Sequence, residues 1–161
     1  MENIDILDLE FSLISEQETA PIASELYEWK FFFDRKLLHI FYSDGDAKKI
    51  SWAIQTNDSV SKEFREHIGT YKDKVTNLQS KYIALHVGLF WAIGVFIIKN
   101  EDAIKIKLDK KIMYDHLESN LKSCDDLIQK RIQFIQQLIK QRNLKIEFQI
   151  IEEKQNLAKI D

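Results

Sequence analysis

The feature that most constrains this chain is an uncharged run from Tyr82 to Ile98, YIALHVGLFWAIGVFII, interrupted only by His86. At 17 residues it sits at the short edge of a membrane-spanning helix, which needs about 20. The other solution is a helix buried on most sides inside a mixed α/β domain. Alternating strand patterns lie on both sides of the run, and they favour the buried helix. No membrane association is therefore expected, and a spanning segment at 82–98 stays as the competing possibility.

The flanking segments supply the rest of a domain. Leu37–Tyr42 (LLHIFY) is short, apolar and aromatic, as strands are, and Ser43-Asp44-Gly45-Asp46 follows as a turn. Ile50–Thr56 (ISWAIQT) is a second strand ending at Asn57-Asp58-Ser59. Phe64–Tyr71 alternates weakly and is expected to be a third strand, completing an antiparallel meander. Thr76, with Gln79 three residues later, has capping-box spacing, so a helix is expected from Asn77 to about Lys99. Ala103–Leu108 (AIKIKL) alternates cleanly as a strand and runs into Asp109. A short helix is expected over Lys111–Glu118 and a long one over Asp125–Arg142, with Asn143 as C-cap. The long helix has an apolar face of Leu127, Ile128, Ile132, Phe134, Ile135, Leu138 and Ile139. Leu144–Ile151 is the last strand. Three strands followed by helical crossovers make a mixed sheet with flanking helices. The fold class is thus α/β, with a five-stranded mixed sheet.

The chain's 161 residues suit one domain, placed at 36–161 behind an N-terminal extension at 1–35. In that extension Ile4, Leu7 and Leu9 are candidates to pack on the domain as a short helix. Glu2, Asp5, Asp8 and Glu10 stand where a secretory signal needs positive charge, so no export signal is expected. The single cysteine, Cys124, excludes a disulfide framework and a cysteine zinc site, and with no cationic neighbour in sequence it is not expected to be reactive. A reducing, cytoplasmic setting follows. The net charge of -3 gives no global attraction to nucleic acid. Local basic clusters exist at Lys105, Lys107, Lys110 and Lys111, and at Lys130, Arg131, Lys140 and Arg142. They are either solvated faces or phosphate-tracking surfaces, with Lys110, Lys111, Lys130 and Arg131 as the candidate nucleic-acid contacts. Trp52, Trp91 and His86 are expected in the core, and His67 and His116 on the surface.

Several local motifs, in this order, resemble the ribonuclease H family. HIFYSDGD matches a first strand ending in an essential aspartate, with Asp44 in that position. VTNLQSKYIALHVGLFWAI matches the family's central helix through Thr76-Asn77, Ala84-Leu85 and Gly88-Leu89, with Lys81 where the family has glutamate. IKIKLDKKIMYDHLES puts Asp109 in a second aspartate position, with Lys110 in place of serine. In IIEEKQNLAKID, Lys159 falls where the last aspartate belongs, and Asp161 lies two residues beyond. The family often has a further helix after this point, and none is expected here. The resemblance covers about 36–161.

It implies a two-metal nuclease site in which four carboxylates hold Mg²⁺ or Mn²⁺ and a metal-activated water attacks a phosphodiester. Two of the four, Asp44 and Asp109, are present. The implied metal set is Asp44, Asp109 and Asp161, with Asp46 and Glu153 as further substitutes. Lysines at 81 and 159 repel a cation, and Lys81 is placed to ion-pair with Asp44 or Asp109. Two functions follow. The first is a catalytically impaired module that contacts nucleic acid or a protein without a cofactor. The second is an active Mg²⁺- or Mn²⁺-dependent ribonuclease cutting the RNA of RNA–DNA hybrids. Taken singly, Asp44 is a turn former, and Asp109 is the N-cap of the helix at Lys111.

Overall fold

The computed structural model describes residues 37–161. The expectations for the extension at 1–35 lie outside the described residues. Strands β1 (Leu38–Gly45), β2 (Lys49–Thr56) and β3 (Ser59–Glu66) form an antiparallel meander. Helix α1 (Asn77–Gly94) then leads to β4 (Ala103–Leu108), α2 (Lys111–Leu117), α3 (Asp126–Gln141) and β5 (Lys145–Ile150). A short 3-10 turn, Glu153–Gln155, lies in the closing segment. The sheet order is β3-β2-β1-β4-β5, with β4 parallel to both β1 and β5. Strand alternation divides the sheet into two faces. One carries Phe41, Trp52, Ile54, Ile104 and Ile106, all at most 1% exposed, beneath α1.

The uncharged run forms most of α1, which ends earlier than its apolar pattern does. Phe96 takes φ 66, and its N–H reaches the Ile93 carbonyl while the Ile97 N–H reaches that of Ala92. This is a Schellman closure, and it turns the chain toward β4 before residue 99. The same device ends α3, with Asn143 at φ 52 as expected, and with Asn143 N–H on Lys140 and Leu144 N–H on Ile139. No described helix is long and apolar enough to cross a membrane. Gly88 lets α1 lie against the sheet. A Cβ there would stand 2.7 Å from Phe41 Cζ and 2.8 Å from Trp52 Cγ.

The third strand departs from expectation. It starts directly after a two-residue turn in which Asn57 has φ 55, and occupies 59–66 rather than 64–71. β3 is an edge strand with Val60 and Phe64 exposed, so no hydrophobic alternation marks it. Two histidines are also corrected. His67 and His116 are buried, not superficial, because each fills a hydrogen-bonding role: His67 Nε2 meets Ser80 Oγ at 2.7 Å, and His116 Nδ1 meets the Tyr82 hydroxyl. His86 is only partly buried. Its Nδ1 accepts from Arg131 at 2.8 Å, and its ring stacks on Phe134 at 5.2 Å. A fourth histidine, His39, is fully buried between Thr56 Oγ1 (2.6 Å) and Asp102 Oδ2 (2.9 Å), tying the start of β1 to the end of β2 and the approach to β4. Phe134 belongs to the expected apolar face of α3 but is 47% exposed, whereas Ile128, Ile132 and Ile135 are buried.

Candidate functional site

β1 and β4 are parallel neighbours, so their carboxyl ends lie side by side, and Asp44 and Asp109 stand at those ends. α1 crosses above them and delivers Lys81 from its second turn. Gly45 permits the close approach, since a Cβ at this position would meet the Ser80 backbone at 2.7 Å. The Lys81 ammonium bonds Asp44 Oδ1 and both oxygens of Asp109, at 3.2 and 3.3 Å. The side chains of Lys81 and Asp109 retain 7% and 4% of their surface, so this ion triad is almost dry.

The closing segment supplies the remaining donors. Asn156 Nδ2 donates to Asp109 Oδ2 and to the Ser43 carbonyl, both at 2.9 Å, and the Ile160 N–H donates to Asp44 Oδ2 at 2.8 Å. Ser51 Oγ donates to the Ala158 carbonyl, which holds the segment on the sheet. Each of the four carboxylate oxygens thus accepts from the chain's own donors. Asp109 is not the N-cap of α2: Lys110 takes that position and makes no side-chain cap. The Asp109 carboxylate points to Lys81 instead.

A depression of about 440 Å³ opens beside the triad, lined in part by Asp44, Lys81, Asp109, Lys110, Glu153 and Lys159. Asp161 is exposed and outside this lining. Asp46 borders the depression, but its Oδ1 accepts from the Lys48 and Lys49 N–H groups at 2.8 and 2.9 Å, as a turn former does. Burial would raise its pKa, and those two backbone bonds outweigh it and hold the carboxyl below the usual range. Glu153 is bonded to Lys110 at 2.8 Å, an exposed pair that lowers the Glu153 pKa and raises that of Lys110. Lys111 pairs with Asp115 one turn on. Lys130 is exposed, whereas Arg131 is engaged by His86 and by the Tyr71 hydroxyl at 3.2 Å.

Divalent-metal chemistry fits this donor set poorly. Hard cations need several carboxylate or carbonyl oxygens with free lone pairs. Here two carboxylates converge around an ammonium, and no cluster of three or more ligand-type side chains exists among the described residues. The residues missed from sequence are Asn156 and the Ile160 amide. Asn156 has a signal of its own, in the Asn156-Leu157-Ala158 run just before Lys159, whereas a backbone amide has none.

No protein-family model matches the chain, and no curated protein matches it by sequence. Solved structures do match. The chain is similar to ribonuclease H1 of the halophilic archaeon Halobacterium salinarum, with a TM-score of 0.59, 16% identity, and 77% of this chain and 91% of that one covered. It is similar to the N-terminal ribonuclease H domain of a Mycobacterium tuberculosis protein, with a TM-score of 0.55, 19% identity, and coverage of 75% and 86%. A foamy viral protease-reverse transcriptase solved with double-stranded DNA matches with a TM-score of 0.51 and 16% identity over 91% of this chain and 33% of that one. These likenesses, together with the β3-β2-β1-β4-β5 sheet, show that the chain has the ribonuclease H-like fold.

Proposed function

We propose that this is a ribonuclease H-like module that no longer cuts phosphodiesters and serves in binding. One observation carries the proposal: the Lys81 ammonium lies between Asp44 and Asp109, and every oxygen of both carboxylates accepts a hydrogen bond from the chain itself. An internal cation takes the place that a metal would need. Two-metal hydrolysis depends on metal-activated water and on metal stabilisation of the leaving oxygen, and neither is available where the ligands are already satisfied. Lys159 adds positive charge at the same depression.

The binding partner we favour is nucleic acid, an RNA–DNA hybrid or RNA, held through its phosphates. Lys110, Lys111 and Lys130 are the candidate contacts, with Arg131 contributing only if it leaves His86. Support comes from fold neighbours that were solved on nucleic acid, among them LC11 ribonuclease H1 with an RNA/DNA hybrid, at a TM-score of 0.50. Weak, salt-dependent binding is expected, because Lys110 and Lys111 are already paired with Glu153 and Asp115. We take the domain to begin near residue 36, with residues 1–35 as an extension, and the setting to be cytoplasmic.

The alternative is an active Mg²⁺- or Mn²⁺-dependent ribonuclease with displaced ligands. Two placements favour it: Asp161 directly follows Ile160, whose amide touches Asp44, and Glu153 lines the depression. Calorimetric titration of Mn²⁺ separates the two. The wild-type chain should take up no metal, and the Lys81→Glu, Lys159→Asp double variant should gain binding. Wild-type binding that is lost on Asp161→Asn would establish the alternative.

A further inference from the structure

Among the described residues the two faces of the sheet are unequally covered. β1, β4 and β5 run parallel, and parallel ladders are normally buried on both faces by helices. Here the described helices cover only the face of Phe41, Trp52 and Ile106. On the other face the closing segment covers the end near Asp44, where Ala158 packs with Tyr42 and Ala53. Further along, that face carries Leu38 at 52% exposure and Val60 at 54%, with Ile40 between them half-buried. Strand register brings Lys49 of β2, Lys62 of β3, Lys105 and Lys107 of β4 and Lys145 of β5 to this face, against two exposed acids, Glu66 of β3 and Glu147 of β5. Among the described residues none of these lysines is in an ion pair. A shallow depression of about 530 Å³ runs along Leu38, Ala103, Lys105, Lys145 and Glu147.

We propose that this open face docks an acidic amphipathic helix of a protein partner. Aliphatic side chains flanked by lysines match a helix with leucines on one side and carboxylates at its margins. A second copy of the chain packed face to face would set lysine against lysine, which charge opposes. Single-stranded nucleic acid would want several aromatic platforms, and among the described residues Phe64, at the sheet edge, is the one exposed aromatic ring on this face. The proposal does not depend on whether the Lys81 site is silent.

The test is titration of the full-length, isotope-labelled protein with a synthetic helical peptide carrying leucines at i, i+3, i+4 and i+7 and glutamates elsewhere. Amide shifts should concentrate at Leu38, Ile40, Val60, Lys105 and Lys145. Affinity should fall by about tenfold or more in the Lys105→Glu, Lys145→Glu variant, whose thermal unfolding serves as the folding control, and also in high salt. Leu38→Ser should weaken binding without changing its salt dependence. Absence of binding, shifts on the α1–α3 side, or equal affinity in the charge-reversed variant would overturn the proposal. Tighter binding of a single-stranded RNA oligonucleotide to the same amides would overturn it as well.

Discussion

Lys81 is the one side chain among the described residues that bonds both Asp44 and Asp109. It is nearly buried beside two carboxylates, and removing one partner of such a group leaves uncompensated charge in a dry setting. Lys81→Ala should therefore cost about 3–5 kcal/mol, measured by urea denaturation. Neutralising all three positions together, with Lys81→Met, Asp44→Asn and Asp109→Asn, should cost much less than the sum, because no orphaned charge remains. Lys81→Glu should be unstable in chelator and recover on addition of Mn²⁺. The histidines set a pH dependence. Burial, reinforced by the adjacent Arg131 charge, pushes His86 down to about 4, and burial also lowers His67 and His116. Their folded pKa values lie below the unfolded value near 6.5, so the unfolded chain binds more protons in that window. Stability is full above pH 6.5 and declines as pH falls toward 4. The urea midpoint should drop between pH 7 and pH 5, and His86→Phe should flatten that drop. An unchanged slope in His86→Phe would contradict the assignment.

At the scale of elements, α3 shows that an apolar period and burial are different things. Phe134 fits the periodic stripe, yet it projects onto the outer side of α1 and stacks on His86. Phe134→Ala should cost under about 1.5 kcal/mol, in place of the ~3–5 kcal/mol of a core phenylalanine, whereas Ile135→Ala should cost about 2–5 kcal/mol. Gly88→Ala should destabilise by about 1–3 kcal/mol through overpacking against Phe41 and Trp52. The interior elements were legible because periodicity and caps agree there. Thr76 and Gln79 close the capping box that their spacing predicts, and Asp125, expected as the first residue of its helix, stands one position before it as the N-cap that accepts from the Ile128 N–H. The bounds of β3 were not legible, since an edge strand whose Val60 and Phe64 are exposed shows no clean alternation. The end of α1 was hidden for another reason: Phe96, not a glycine, takes the left-handed position. At the site, sequence order located Asp44, Lys81 and Asp109, but only the fold shows that one ammonium reaches both carboxylates. The bonds from Asn156 and Ile160 depend on how the closing segment folds back, which no local pattern records.

For the whole molecule, the ribonuclease H-like sheet brings the ends of β1 and β4 together whether or not chemistry follows. The proposed module, held together by Lys81, binds without cutting. The direct measurement is cleavage of a labelled RNA–DNA hybrid by the full-length protein in Mg²⁺ and then in Mn²⁺, alongside Asp109→Asn, with folding verified by circular dichroism. The expected result is intact hybrid in both metals, indistinguishable from Asp109→Asn. Cleavage that Asp109→Asn abolishes would contradict it and show that Lys81 yields the site to a metal.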